Sequence, residues 1–251
     1  MKKNVKLIVF FVSILFAGWV VFLLAKNVEH ISAEEKNLPK GEEMKASKSF
    51  KDSSRDESFE LPEPKLSSKI SVEEALSTRR SVREYGKDSL SIEEISQLLW
   101  AAQGITTRWG GRTAPSAGAL YPLEIYVVVG EVQGLLPGLY HYDPQKHGIT
   151  KKVDGDLRQK LTRASLYQDA IAKAPATFVI TAVYERTMKK YRQRGIQYVH
   201  MEVGCVSENI YLQAETLNLG TVFIGAFEDE KVKKALGIKE EPLSIMPVGK
   251  K

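Results

Sequence analysis

Three short stretches of the 251-residue chain hold residues whose types and spacing suit ligand chemistry. The first is Arg79, Arg80, Ser81 and Arg83. Arg presents a planar fork of N–H donors and Ser a short O–H donor, so this turn is equipped for a dianionic phosphate. The same residues also suit a solvated basic turn. The second stretch runs from Gly110 to Pro122 and contains Pro115, Ser116, Ala117, Gly118, Ala119, Leu120 and Tyr121. Residues this small let a backbone come close to a planar ligand. The stretch lacks the Gly-Lys-Ser/Thr ending of a phosphate-binding P-loop. It leads into an apolar, β-branched segment, the kind of rigid support on which binding loops sit. A plain surface loop has the same composition. The third is Gly220 to Phe227, where the backbone N–H groups of Gly225 and Ala226 are placed to meet a ring edge, or where a strand ends in an ordinary turn.

Other chemistries find less support. His30, His141, His147 and His200 are scattered, and none is spaced with a Cys or a carboxylate cluster as zinc ligands are. The single cysteine, Cys205, lies in a helical apolar stripe and reads as a packing residue. One thiol leaves the fold independent of internal disulfides. A net charge of +5 favours anions in general. The Lys and Arg residues do not cluster with aromatic residues, so nucleic acid is not an expected partner.

The elements that must position these residues follow from periodicity and caps. Ser71 to Thr78 reads as a short helix. Ser91 and Glu94 form a capping-box pair ahead of Ile92, Ile95, Leu98 and Leu99, which predicts a helix to about Gln103. Leu123 to Val129 and Thr177 to Val183 are short apolar runs, read as strands buried on both faces. Leu139 to Tyr142 and Ile149 to Val153 flank Asp143, Pro144 and Gly148, the pattern of a hairpin. Helices are predicted near Asp156 to Ser165, Gln168 to Lys173 and Asp229 to Leu236, with strands at Thr221 to Ile224 and Leu243 to Val248. The longest helix is predicted over Tyr198 to Leu217. Its stripe of Val199, Val203, Val206, Ile210, Ala214 and Leu217, widened by Met201, Cys205 and Leu212, suits a core helix and also a dimer interface. Tyr184 to Gly195, with five basic residues, reads as a substrate lid or a solvated helix. Mixed strands and helices give an α+β or α/β sandwich.

The chain divides into three parts. Residues 1–26 hold Lys2, Lys3 and Lys6, then an apolar run from Leu7 to Ala25 closed by Lys26. That length matches a bilayer span of ~30 Å, and the basic flank predicts a single-pass anchor with the remainder on the outer face. A cleaved signal peptide is the other reading of the segment. Residues 27–68 are polar, rich in Glu, Lys and Ser, and contain Pro39, Pro62 and Pro64, which predicts a flexible tether. Residues 69–251 form the globular domain.

In order, the Arg-Arg-Ser-x-Arg turn, the Pro115–Pro122 loop, a helix with His200-x-Glu202-x-Gly204 running through Asn209 and Ala214, the Phe223-Ile224-Gly225-Ala226-Phe227 segment and the closing Pro247-Val248-Gly249-Lys250 resemble the nitroreductase superfamily. The Pro115–Pro122 segment is similar to its SagB/ThcOx-type dehydrogenase branch. The resemblance covers the chain from about Lys69. It implies an α+β fold with a central mixed β-sheet flanked by helices, here preceded by one N-terminal transmembrane helix. It implies bound FMN and a homodimer with flavins at the subunit interface. It further implies an FMN-dependent oxidoreductase that moves hydride through flavin N5 to or from a small-molecule or peptide substrate of nitro, quinone or azoline type, with NADH or NADPH as a donor. A flavin-binding, non-catalytic partner of a peptide-modifying complex is the alternative. Carried over, Arg79 and Ser81 face the FMN phosphate and ribityl chain, Arg80 the phosphate or pyrimidine, and Arg83 the N1/C2=O edge. Pro115, Ser116 and Ala117 lie along the isoalloxazine, Gly225 and Ala226 sit by N5, and Lys250 returns a basic group to the phosphate. The sequence given stops at Lys251, short of the extension many relatives carry, which leaves the role of Lys250 open. The flavin would carry the chemistry, with no protein acid or nucleophile required.

Overall fold

The computed structural model describes residues 57–251. Strands β1 (Ser58–Glu60), β2 (Leu123–Val129), β3 (Gly138–Asp143), β4 (Gly148–Asp154), β5 (Ala176–Ala182), β6 (Leu219–Thr221) and β7 (Glu241–Lys250) form one sheet in the order β1-β4-β3-β2-β5-β7-β6. Helices are α1 (Val72–Thr78), α2 (Ile92–Gln103), α3 (Arg158–Ala164), α4 (Asp169–Lys173), α5 (Tyr184–Tyr191), α6 (Arg194–Thr216) and α7 (Asp229–Leu236).

The sheet is sandwiched. On one face Ile125, Val127, Phe178, Ile180, Met246 and Val248 pack with α2 and α6; on the other Tyr126, Val128, Val179 and Ile245 pack with α3, α4 and α7. Strands β2 and β5 sit at the centre, so both side-chain sets are covered and no solvated face exists to impose alternation. That explains their unbroken apolar runs. The α2 start behaves as its sequence dictates: the Ser91 hydroxyl accepts from the Glu94 N–H, and the Glu94 carboxylate accepts from the Ser91 N–H.

Several expectations need correction. The sheet is not mixed: every pairing between the strands named above is antiparallel, and parallel contact is confined to single bridges such as Ser81 with Thr221. The folded body begins before Lys69. Residues 58–60 add an edge strand to β4, Leu61 is buried, and the Lys65 N–H donates to Gln97 Oε1. A three-residue strand with one apolar side chain leaves too little pattern to read. Helix α6 starts at Arg194, four residues earlier than expected, and α5 precedes it. Strand β6 ends at Thr221, and Ile224 keeps only a bridge to Ile245.

The broad stripe on α6 is also spoken for. Val199, Val206 and Ile210 are fully buried within this one chain, facing the sheet rather than a partner. The expected membrane anchor at residues 1–26 and most of the expected tether lie outside the described residues. Within the described residues no helix is long and apolar enough to cross a membrane.

Candidate functional site

The segment 79–86 leaves α1 and lies along the β6–β7 corner. Ser81 bridges Thr221, the Val82 N–H donates to the Thr221 carbonyl, and the Gly86 N–H donates to the Lys250 carbonyl. Tyr85 donates its hydroxyl toward the Val82 and Pro247 carbonyls, and its burial pushes the phenol well above its ordinary value. The approach is close enough to demand glycine opposite it: a Cβ on Gly249 would stand 2.7 Å from the Tyr85 side chain, and one on Gly220 2.6 Å from Val82. The basic turn is therefore held on backbone rather than on long side chains.

Tyr211 of α6 joins this turn to the third stretch. Its hydroxyl accepts from the Phe223 N–H at 2.7 Å and shares a 3.1 Å hydrogen bond with the Ser81 hydroxyl. The Arg79 guanidinium lies 4.9 Å from the centre of its ring. Arg79 is half-buried, while Arg80, Ser81 and Arg83 are exposed. Among the described residues none of the three guanidiniums is ion-paired; Arg80 only donates to the Ser77 and Arg79 carbonyls. Three guanidiniums without an ion-pair partner, beside the Ser81 hydroxyl that Tyr211 holds in place, suit a dianion. Nearby, Gly225 and Ala226 are exposed, and their N–H groups have no protein acceptor among the described residues. The Ala226 carbonyl accepts from Gln168 Nε2, which pins the segment to the α3–α4 turn.

The Pro115–Ala117 loop belongs to a different stretch of α6. Ser116 lies near the buried Glu202 carboxylate, nine positions before Tyr211. At ~1.5 Å rise per residue, the two anchor points are about 13.5 Å apart along the helix. The loop is tightly shaped: Gly118, Ala119 and Tyr121 all take positive φ, and the Tyr121 N–H donates to Ser116 Oγ. Burial raises the Glu202 pKa above the ordinary carboxylate range, though Ser116, Gln103 and Arg112 act in the opposite direction. Burial likewise lowers the Arg112 pKa, against the pull of Tyr121, Glu124 and Glu202.

Lys250 is not brought to the arginines by its charge. Its ammonium pairs with Glu94, the capping-box residue of α2. Tyr184–Gly195 is helix α5 and the turn into α6. Arg186 bonds Glu124 and the Tyr121 carbonyl, and a Cβ on Gly118 would meet Tyr191 Oη at 2.8 Å and Lys190 Nζ at 3.0 Å. Glu124 is pushed up by burial but held below its ordinary value by His141 and Arg186. Sequence reasoning did not single out Tyr211, Gln103 or the Arg112–Glu202 relation. The available signal was a glutamate inside an apolar helical stripe, since a carboxylate at a core position needs partners.

The comparisons agree with this frame. The model of the nitroreductase family matches residues 76–250, and the chain belongs to that family. A protein of Methanocaldococcus jannaschii assigned to the nitroreductases is 50% identical over 182 residues, covering 72% of this chain and 92% of that one. Among solved structures, a protein of Ralstonia eutropha assigned to the nitroreductases has a TM-score of 0.68 at 31% identity, over 77% of this chain and 89% of that one. A chain of the Escherichia coli microcin synthetase McbBCD, solved with truncated pro-microcin B17 bound, has a TM-score of 0.59 at 26% identity, over 76% and 77% of the two chains.

Proposed function

We propose that this nitroreductase-family oxidoreductase is FMN-dependent and passes hydride to or from an organic substrate of nitro, quinone or azoline type. The observation that carries this reading is the Tyr211 junction. One hydroxyl fixes the Ser81 turn, with its three uncompensated guanidiniums, against the segment that exposes the Gly225 and Ala226 N–H groups. When bound, FMN supplies hydride transfer at N5. Arg79, Arg80 and Ser81 then hold the phosphate, Arg83 adds positive charge, and Gly225 and Ala226 offer donors to the ring edge. Lys250 serves this set from behind, by fixing Glu94 and the start of α2. NADH or NADPH is the proposed electron donor.

Purified protein should show the visible absorbance of oxidised flavin at about one FMN per chain, and anaerobic NADH or NADPH should bleach it. A folded, colourless protein that takes up no added FMN contradicts the reading. A second reading, a flavin-binding partner without turnover in a peptide-modifying complex, draws on the similarity to a chain of McbBCD. A yellow preparation that no donor reduces would favour it.

We also read the enzyme as a homodimer that completes each site across two chains. The support is a groove of about 600 Å³ between residues 65–72, α2 and the outer side of α6, lined in part by Leu66, Val72, Trp100, Leu212 and Leu217. Leu66, Val72 and Leu76 are largely exposed beside it. Finally, the Leu7–Ala25 run supports a membrane anchor with the flavin domain on the outer face. Protease added to intact cells should then cut the domain free upstream of Ser58. Survival of the full-length chain until lysis places the domain in the cytosol, where a nicotinamide donor is abundant.

A further inference from the structure

The Ser116 loop holds a backbone shape that its own residues disfavour. Ala119 and Tyr121 sit at φ +55° and +45°, in the left-handed region where a Cβ crowds the chain. Such conformations persist only where surroundings over-determine them. Here the surroundings are a linked set of five side chains. The Ser116 hydroxyl accepts from the Tyr121 N–H at 2.9 Å and lies near the Glu202 carboxylate, whose pKa it lowers. The Tyr121 ring lies 4.2 Å from the Arg112 guanidinium carbon, and its hydroxyl accepts from the Arg112 N–H at 3.2 Å. Arg112 Nη1 donates to Gln103 Oε1 at 2.9 Å, and Gln103 Nε2 donates to Glu202 Oε1 at 3.5 Å, which brings the circuit to Glu202.

The Gln103 amide is oriented by a cation at its oxygen and an anion at its nitrogen. Gln103 is 1% exposed and Glu202 3%, which denies water the chance to substitute. Arg112 Nε is buried without a hydrogen-bond partner, so the guanidinium relies on the Gln103 bond and the Tyr121 stack. Residues of three elements (the end of α2, the 112–121 loop and the middle of α6) thereby form one rigid unit.

We propose that this circuit, with Arg112 and Glu202 as its charged poles, sets the shape in which the Ser116 loop is presented to the cofactor. Glu202 is thus a positioning residue of the site. The proposal rests on the FMN reading only for the identity of what the loop receives.

The test uses the full chain, stripped of cofactor, and reads amide hydrogen exchange by mass spectrometry. Arg112→Met leaves the Glu202 carboxylate buried without its opposite pole. Exchange in residues 113–122 should rise about tenfold, while β5 stays protected, and the Kd for added FMN should rise about tenfold as well. Removing both poles in Arg112→Met/Glu202→Gln should restore at least half of each loss, a coupling that independent packing effects do not produce. Unchanged loop exchange in Arg112→Met, or a double variant as impaired as the product of the two singles, overturns the proposal. If Arg112→Met does not fold, Arg112→Lys keeps the charge and removes the flat stack and the forked donor; it should accelerate the loop several-fold, and an unaltered loop overturns the proposal equally. A coupled loop in a chain that binds no FMN at all sinks the flavin reading and leaves the circuit standing. Tight FMN binding with no loop response does the reverse.

Discussion

Tyr211→Phe should weaken FMN binding by roughly ten- to a hundredfold while the fold survives. The substitution removes one oxygen and almost no volume, so the packing of α6 against the sheet is retained. It leaves the Phe223 N–H without an acceptor and the Ser81 hydroxyl without its partner. An unmet donor of this kind costs about 1–3 kcal/mol, which the protein avoids by letting the turn and the Phe223 segment drift apart. The Arg79 guanidinium still has a ring to lie on, so Arg79→Ala should add a further loss rather than none. Titration of FMN by fluorescence quenching measures both. Wild-type affinity in Tyr211→Phe would mean that the junction is not what aligns the two halves of the site.

Ile210→Asp should abolish folding rather than split a dimer. Ile210 is fully buried in the layer between α6 and the sheet. A carboxylate there lacks a cationic partner and either stays charged at a cost of several kcal/mol or takes up a proton. The lost apolar side chain adds about 2–5 kcal/mol. Together these approach the whole stability of an ordinary domain, about 5–15 kcal/mol. Circular dichroism should show an unfolded or aggregated product. Leu212→Asp, on the groove side of the same helix, is the matched contrast: it should keep the fold and lower the mass seen by light scattering if copies meet there. A folded, monomeric Ile210→Asp would show that α6 faces a partner after all.

These two positions show how far the sequence could be read. The stripe containing Ile210 announced a buried helix, yet an apolar face carries no label for what covers it, and only the sheet's position decides between core and interface. Elements with strong local signals were legible: the Ser91–Glu94 cap, the unbroken β2 and β5 runs, and the hairpin of β3 and β4. Strand β1 was not, because three residues give no period and its pairing with β4 is decided some 90 positions away. For the same reason the sheet's antiparallel order escaped: short apolar runs look alike in either orientation.

At the site, residue types exposed the arginine turn, the small-residue loop and the Gly225–Ala226 segment as candidates. The resemblance to the nitroreductases supplied their common purpose. Tyr211 stayed invisible because nothing in its neighbourhood along the chain distinguishes a junction tyrosine from a packing one. Lys250 is a different case. Its position near the turn is real, through the Gly86–Lys250 backbone bond, but its charge is committed to Glu94.

The docking of segment 79–86 on β6 and β7 also dictates an order of events in synthesis. Ser81 meets Thr221, and Gly86 meets Lys250, across 140 and 164 positions of chain. Contacts so remote must repay a large loop-closure entropy and form late. The arginine turn leaves the ribosome well before strands β6 and β7, whose surface shapes it. A nascent chain therefore carries the arginine turn without the surface that shapes it until β7 has been made, so the conformation of that turn reports a finished β7.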